Sequence, residues 1–542
     1  MSIYPFKIVT YLAYLLIALI IVALFAENFI FSSNLGLLAF REIDDIAFQA
    51  SLKSIHANIE NGNFHKLFEL NDYAYGWIYW LPMAIITYPF YLLSNYLSFD
   101  VALIVLPREI SLFFAIGSLV VLRKILKIMK VEEWACALAL LIFALYPTFG
   151  YFSMRFGTVN EAMFFSILTL YFAIKDNPST LKGRNLIVIT LAVAGGIKLS
   201  ALLITPLILA LIVLNMQERE WKKIIKSAKI PALLFILSLV VFINPSLLIS
   251  PAKPQIAKDY WYKLHYFLQV TKTISSPTDL LSIAFGNNIN KVIMLFIAAG
   301  LPIYATREKK WKFILAILAT LLIASLYLLF SVKNGASAGA YFTAVSFLFL
   351  FGVVGWTYNS IGTIALLIII PIMFVNSELS AINQYKTQVY TNYLYFNHWT
   401  YFVKSIKFKD DLENAEKIDK CIDISDKKEW KGHIFIDFST PTTVNILTYP
   451  NAHVSIAWNN LSPAGKYYEL PVNYLILDKM AVGALPKEEF DDKFRVADPK
   501  IAEGYVKDRE SRTELFKSGN FANQHFKLIC EYGRVQVFKF AP

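Results

Sequence analysis

The chain has 542 residues, of which 56% are hydrophobic and only 17% charged, and its mean hydropathy is +0.50. Soluble domains carry about 25% charged residues, so a single large soluble protein is excluded. The net charge of +11 does not point to nucleic acid, because it is unevenly carried: residues 1–400 hold 30 Lys and Arg against 19 Asp and Glu, whereas residues 401–542 hold 21 of each.

That division predicts a mainly α protein, with a polytopic α-helical membrane domain over 1–376 and a small extracytoplasmic α/β domain over 377–542. The first apolar run, Ile8 to Ala26, follows Lys7 and is too long for a signal-peptide core, so it reads as a retained anchor. Further apolar runs lie at 77–98, 101–122, 134–153, 161–174, 185–214, 230–250, 291–306, 313–331, 341–357 and 360–376. Basic clusters at Arg123/Lys124/Lys127/Lys130, Lys175/Lys182/Arg184, Arg219/Lys222/Lys223/Lys226/Lys229 and Arg307/Lys309/Lys310/Lys312 are placed inside, because Lys and Arg mark cytoplasmic ends. The run 185–214 then begins and ends inside and must turn near Gly195-Gly196-Ile197-Lys198. Residues 251–290 become a long outer loop, and the run 77–98, with Pro82 and Pro89, is assigned to the interface. This topology gives about eleven crossings of the plasma membrane, with the N-terminus inside and the C-terminal domain outside.

Beyond the last crossing, residues 401–430 read as helical. Residues 433–438, 472–477 and 526–530 read as short buried strands, the last continuing into a hairpin with 535–540. No catalytic motif occurs there. Three cysteines are too few for a disulfide scaffold, although Cys421 and Cys530 are free to pair in an oxidising compartment.

The predicted outer face gathers the ionisable residues. Asp44 and Asp45 follow the first helix and either cap a loop helix or act in chemistry. Glu161 opens a membrane helix, where a carboxylate needs a partner or a function, and Arg155 is the plain partner. Arg108, Lys198 and Lys333 fall on the same side; each either snorkels to lipid headgroups or holds an anionic phosphate. Trp77 and Trp80, and the loop residues Tyr260 and His265, offer rings that suit either a sugar or the membrane interface. A sugar on a polyprenyl phosphate leaves with a phosphate that needs cations, and its hydroxyl acceptor needs a carboxylate base.

In the order of these motifs the sequence resembles the GT-C membrane glycosyltransferases, in particular the protein O-mannosyltransferase and lipid A aminoarabinose transferase group. Asp44-Asp45-Ile-Ala-Phe48 stands where those enzymes carry an Asp-Glu-x-x-Tyr-like motif. Tyr75 to Pro89 matches an aromatic and proline segment, and Arg108 through Lys130 an Arg-led helix with a basic end. Glu161-Ala-Met-Phe-Phe matches a second acid before a Phe-rich helix. Gly195-Gly-Ile-Lys198, ahead of Pro206, and Asn244-Pro245 also fit. The resemblance implies that Asp44 is the base of an inverting transfer, with Asp45 and Glu161 orienting the acceptor or a divalent metal, whose use is left open. It implies donor-phosphate binding by Arg108, Arg155, Lys198 and Lys333, and sugar or acceptor binding by Trp77, Trp80, Tyr260 and His265. Asp45 and Phe48 depart from the usual Glu and Tyr, and no Lys precedes the Tyr75-Gly-Trp segment, which speaks against lipid A as acceptor. A transporter or flippase, or a polymerase or ligase for a lipid-linked glycan, is the alternative; no internal repeat supports the transporter.

Overall fold

A computed structural model describes residues 4–32, 43–64, 67, 75–97, 101–145, 147–175, 180–214, 229–245, 288–331, 338–387, 401–437, 444, 448–449, 451–457, 472–478, 514–515, 518–521, 524–532 and 535–541. The chain divides into two compact units, one of Met1–Asn28 with Ala47–Asn376 and the other of Phe29–Ile46 with Ser377–Pro542.

The first unit is helical. Its elements are α1 (Tyr4–Ser32) and α2 (Ile43–Glu60), apart from the end of α1 and the first turn of α2 that fall in the second unit, then α3 (Trp77–Leu97), α4 (Ala102–Ile128), α5 (Glu133–Ala144), α6 (Pro147–Ser153), α7 (Val159–Lys175) and α8 (Leu181–Ile197). A 3-10 turn (Leu199–Ile204) and α9 (Thr205–Leu214) follow, then α10 (Lys229–Ile243), α11 (Asn288–Arg307), α12 (Trp311–Ser331), α13 (Ala338–Thr357) and α14 (Ser360–Thr387). The run 77–98 forms one helix through both of its prolines. The run 134–153 is instead broken into α5 and α6, because Pro147 suits a first helical position and disfavours helix in the residue before it.

Among the described residues, Phe6–Ile30 and Ala102–Ile128 are long and apolar enough to cross a membrane; Trp77–Leu93, Lys229–Ile243, Trp311–Ile323 and Ser360–Met373 are shorter apolar segments. Two such helices are fewer than the eleven crossings expected. Leu12, Leu15, Leu19 and Val22 of α1, Leu233 and Ile236 of α10, and Ile361, Ile364 and Ile368 of α14 are all exposed. Apolar surface in that amount is stable against lipid chains and unstable in water.

At the basic end of α4, Glu133 gathers three partners. Arg123 Nη2 lies 2.8 Å from Glu133 Oε1, Lys127 Nζ pairs with Oε2, and Tyr14 Oη donates to Oε1 at 2.5 Å. The contact ties α1, α4 and α5 together at the end that the charge pattern assigns to the cytoplasm.

Two glycines set the packing at the other functional junction. The Gly76 N–H donates to the Gly196 carbonyl at 3.0 Å. A Cβ on Gly76 would fall 2.1 Å from that oxygen and 2.4 Å from the Phe242 carbonyl, and one on Gly196 would fall 2.6 Å from Phe242 Cβ. The start of α3, the end of α8 and the end of α10 therefore meet backbone to backbone. α8 packs along α7 and α10, and α7 along α4.

The second unit holds α15 (Tyr401–Cys421) and a six-stranded sheet of β1 (His433–Asp437), β2 (His453–Ala457), β3 (Tyr474–Asp478), β4 (Asn520–Phe521), β5 (Gln524–Tyr532) and β6 (Val535–Phe540). The strand order is β2-β1-β3-β6-β5-β4, with β1 parallel to β2 and β3 and the remaining pairs antiparallel. Side chains alternate between two cores: Ile434, Ile436 and Ile476 join Ile418 and Val537, while Phe435, Leu475 and Leu477 join Phe526 and Phe538. Burial on both faces is why these strands read as unbroken apolar runs. Two strands were not expected from sequence, the two-residue β4 and β2, an edge strand with an alternating His-Val-Ser-Ile-Ala pattern. Cys421 at the end of α15 is disulfide-bonded to Cys530 of β5 across 109 residues, a loop long enough for the bond to stabilise the fold by about 4–5 kcal/mol in the chain-entropy account.

Gly76→Ala is expected to destabilise the first unit by about 1–3 kcal/mol, because backbone on two other elements must shift to admit one methyl. Gly157, where an added Cβ meets nothing within 4 Å, should accept Ala with little change. Thermal unfolding in detergent compares the two variants; equal midpoints would show that the junction is slack.

Candidate functional site

α4 runs through Arg108 and Ser111 on one face, a single turn apart, and both are buried. α7 begins Val159-Asn160-Glu161, so the carboxylate sits in the first turn of its helix, where the partial positive charge of the helix end favours an anion. Asn160 locks that turn in place: its Nδ2 donates to the Ser111 carbonyl at 3.2 Å and to Ser153 Oγ at 3.3 Å. Ser153 Oγ in turn donates to the Phe149 carbonyl at 2.6 Å. Asn28 from α1 closes the group, donating to the Ser153 carbonyl at 3.2 Å and to Glu109 Oε2 at 3.4 Å.

Glu161 itself is 2% exposed, and neither carboxylate oxygen has a hydrogen-bond partner among the described residues. The cation acting on it is Lys198, and the Ser111 hydroxyl, which donates to the Phe152 carbonyl at 3.3 Å, lies beside it. Lys198 occupies the single extended residue (φ −151°, ψ 114°) between α8 and the 3-10 turn. Its N–H donates to the Ala194 carbonyl at 3.0 Å and its carbonyl accepts from the Ala201 N–H at 2.9 Å, so the break is stitched on both sides. Lys198 is 6% exposed. The helix break that the sequence predicts at Gly195–Lys198 is present, and it delivers a buried ammonium toward a buried carboxylate.

An aromatic wall stands in the same unit. Phe48 of α2 has its ring centroid 5.2 Å from Trp80, 5.2 Å from Phe156, 5.3 Å from Tyr75 and 6.0 Å from Tyr79. Trp80 is 3% exposed and Trp77 is buried beside it, so these indoles build the wall through their edges and their packing. Phe156 follows Arg155, which lies partly buried in the link between α6 and α7. His56, one of the buried polar residues that the sequence reading passed over, shows its tautomer by elimination. Thr87 Oγ1 gives its proton to the Met83 carbonyl at 2.7 Å and must accept from His56 Nε2 at 2.9 Å. Burial pushes His56 down to about 4, so the ring is neutral.

The predicted site residues thus separate into groups. Arg108, Arg155, Glu161, Lys198, Trp77 and Trp80 all belong to the first unit, and among them Glu161 and Lys198 interact. Asp44 and Asp45 are in the first turn of α2 and fall in the second unit. Lys333, Tyr260 and His265 lie outside the described residues. Asn28, Ser111, Ser153 and Asn160 were not anticipated; only Asn160, adjacent to Glu161, carried a local sign. Among the described residues no group of three or more His, Cys, Asp or Glu side chains converges as a metal site.

No protein-family model matches this chain, and no curated protein matches it. Among solved structures it is similar to the crystal structure of ArnT from Cupriavidus metallidurans in the apo state, with a TM-score of 0.49 and 10% identity over 90% of this chain and 92% of that one. A likeness this distant assigns no activity and no residue role here.

Replacing Glu161 by Gln keeps the shape and removes a buried carboxyl group that has no described hydrogen-bond partner. The variant should unfold at or above the wild-type temperature, because a buried carboxylate without hydrogen bonds is costly. A loss of more than about 2 kcal/mol would instead show that Glu161 anchors the fold through Lys198.

Proposed function

We propose that this chain is an integral-membrane glycosyltransferase of about eleven crossings. It moves a sugar from a polyprenyl-phosphate donor to a hydroxyl of a lipid, glycan or protein acceptor at the outer face of the plasma membrane. The observation that carries the reading is Glu161. A buried carboxylate with no described hydrogen-bond partner, at the mouth of an apolar helix and under the influence of a buried lysine, has a cost in stability that a binding or catalytic task accounts for.

The chemistry follows from the residue types. The bond from the anomeric carbon to the phosphate oxygen breaks, and the leaving lipid phosphate gains charge as it goes. Arg108 and Lys198, with Arg155, supply the cations that stabilise it, and a water-poor setting strengthens their effect. The acceptor hydroxyl attacks the opposite face of the sugar, which inverts the anomeric centre. On sequence grounds Asp44 is assigned as the general base that takes the hydroxyl proton, and Glu161 as the group that orients the acceptor. The wall of Phe48, Tyr79 and Trp80 excludes water that would otherwise compete for the sugar. Lys333, Tyr260 and His265 are assigned to donor and sugar binding on sequence grounds, and no step runs through a metal.

Incubation of the purified protein with polyprenyl-phosphate sugars, scoring release of lipid phosphate, tests the reading. Asp44→Asn should lower turnover by about 10²–10⁴-fold while donor binding persists. Lys198→Met should raise the donor KM by a larger factor than it lowers kcat. Unchanged turnover in Asp44→Asn would remove the base assignment, and the absence of any phosphate release would remove the transferase reading.

A further inference from the structure

The second unit carries a cleft of about 340 Å³, lined by Trp430, Tyr474, Lys539, Asp423, Asn473 and Ser425 among others. Small-molecule sites begin at about this size. The transfer chemistry above makes no use of it.

Its floor is rigid. The Trp430 indole stands edge-to-face against Tyr474 at 5.9 Å and against Tyr449 at 6.3 Å. It also lies on the backbone of Gly432, where an added Cβ would fall 1.9 Å from the indole Cζ2. Only glycine at 432 lets the ring lie there. Tyr474 is anchored by its hydroxyl, which donates to the Asp423 carbonyl at 3.4 Å. Asp423 sits two residues beyond Cys421, whose disulfide to Cys530 fixes that segment to the sheet.

The rim is polar and mixed in kind. Asp423 presents an exposed carboxylate and Ser425 an exposed hydroxyl. Lys539 is exposed, with its ammonium 5.9 Å over the Tyr474 ring. Asn473 has its Oδ1 occupied by the His433 N–H at 2.8 Å, which leaves its NH₂ to donate. A flat, half-buried indole ringed by single donors and single acceptors complements a molecule with one apolar face and hydroxyls that both donate and accept. One lysine opposed by one aspartate is a poor match to a di- or triphosphate, which draws clustered cations.

We propose that this cleft is a saccharide-binding site, in which the Trp430 indole receives the C–H face of one pyranose ring. Asp423, Asn473 and Lys539 hold its hydroxyls. The assignment stands on the cleft alone and does not depend on the transferase reading.

The test is saturation-transfer NMR on the full-length protein in a detergent without a sugar headgroup. The probes are the methyl glycosides of glucose, mannose, galactose and N-acetylglucosamine, with uridine as a ring that stacks but is not a pyranose. Transfer to at least one glycoside is expected, with the saturation strongest on its ring C–H protons. Trp430→Ala should weaken binding by about tenfold or more, and Lys539→Ala, at an exposed position, should weaken it severalfold without shifting the thermal midpoint. Trp430→Phe keeps a ring on the floor and should retain part of the binding. Absence of transfer to every glycoside would overturn the proposal. So would a preference for uridine over all four, or undiminished binding in both Trp430→Phe and Lys539→Ala proteins that remain folded.

Discussion

The placement of Lys198 in the helical unit depends on a close approach in which the Gly76 amide donates to the Gly196 carbonyl with no side chain between them. Three elements converge on that bond, since Phe242 at the end of α10 covers both glycines. Because α8 must stop where its carbonyl is taken by Gly76, the next residues leave the helical path. Lys198 is the residue that takes the extended conformation. A backbone contact thereby decides where a buried ammonium stands. Any side chain at either glycine would part the helices and move Lys198 away from Glu161.

Around that junction the first unit separates its charges by task. At the basic end of α4, Glu133 is matched by Arg123, Lys127 and Tyr14, and its oxygens are occupied. Near the start of α7, Asn28, Ser111, Ser153 and Asn160 donate to one another and to the local backbone, while Glu161 in their midst is left without a described hydrogen-bond partner. The contrast matters energetically, because an unmet buried carboxylate costs more than an ordinary hydrogen bond returns. The neighbouring amides and hydroxyls fix the backbone around the carboxylate, and the Ser111 hydroxyl lies beside it. That is how a side chain is kept both ordered and available.

The second unit uses different means. A short sheet buried on both faces, α15 and one long-range disulfide hold it. The glycine at 432 has the same physical role as those at 76 and 196, which is to let something large come close to backbone. In the first unit the approaching group is another main chain; in the second it is an indole.

Much of the outline was legible in the sequence because it follows from composition and period. Long apolar runs became helices, the strands at 433–437, 474–478 and 535–540 were expected, and the break at Gly195–Lys198 was marked by paired glycines. Glu161 and Lys198 stood out as ions in apolar surroundings. What stayed hidden was whatever depends on partners remote in the chain. Nothing local says that Asn28 meets Ser153, that His56 donates a hydrogen bond to Thr87, or that Gly76 touches Gly196. Those pairings are 125, 31 and 120 residues apart, and a side chain's spare or satisfied valence is a property of the pair. The same reason explains β2, whose edge position and not its composition makes it a strand. The sequence by itself determined which residues were chemically able to form a site, since charge, ring and backbone freedom are intrinsic to each. Only the tertiary structure decided which of them are left with oxygens to use, because that depends on what every neighbour has already taken.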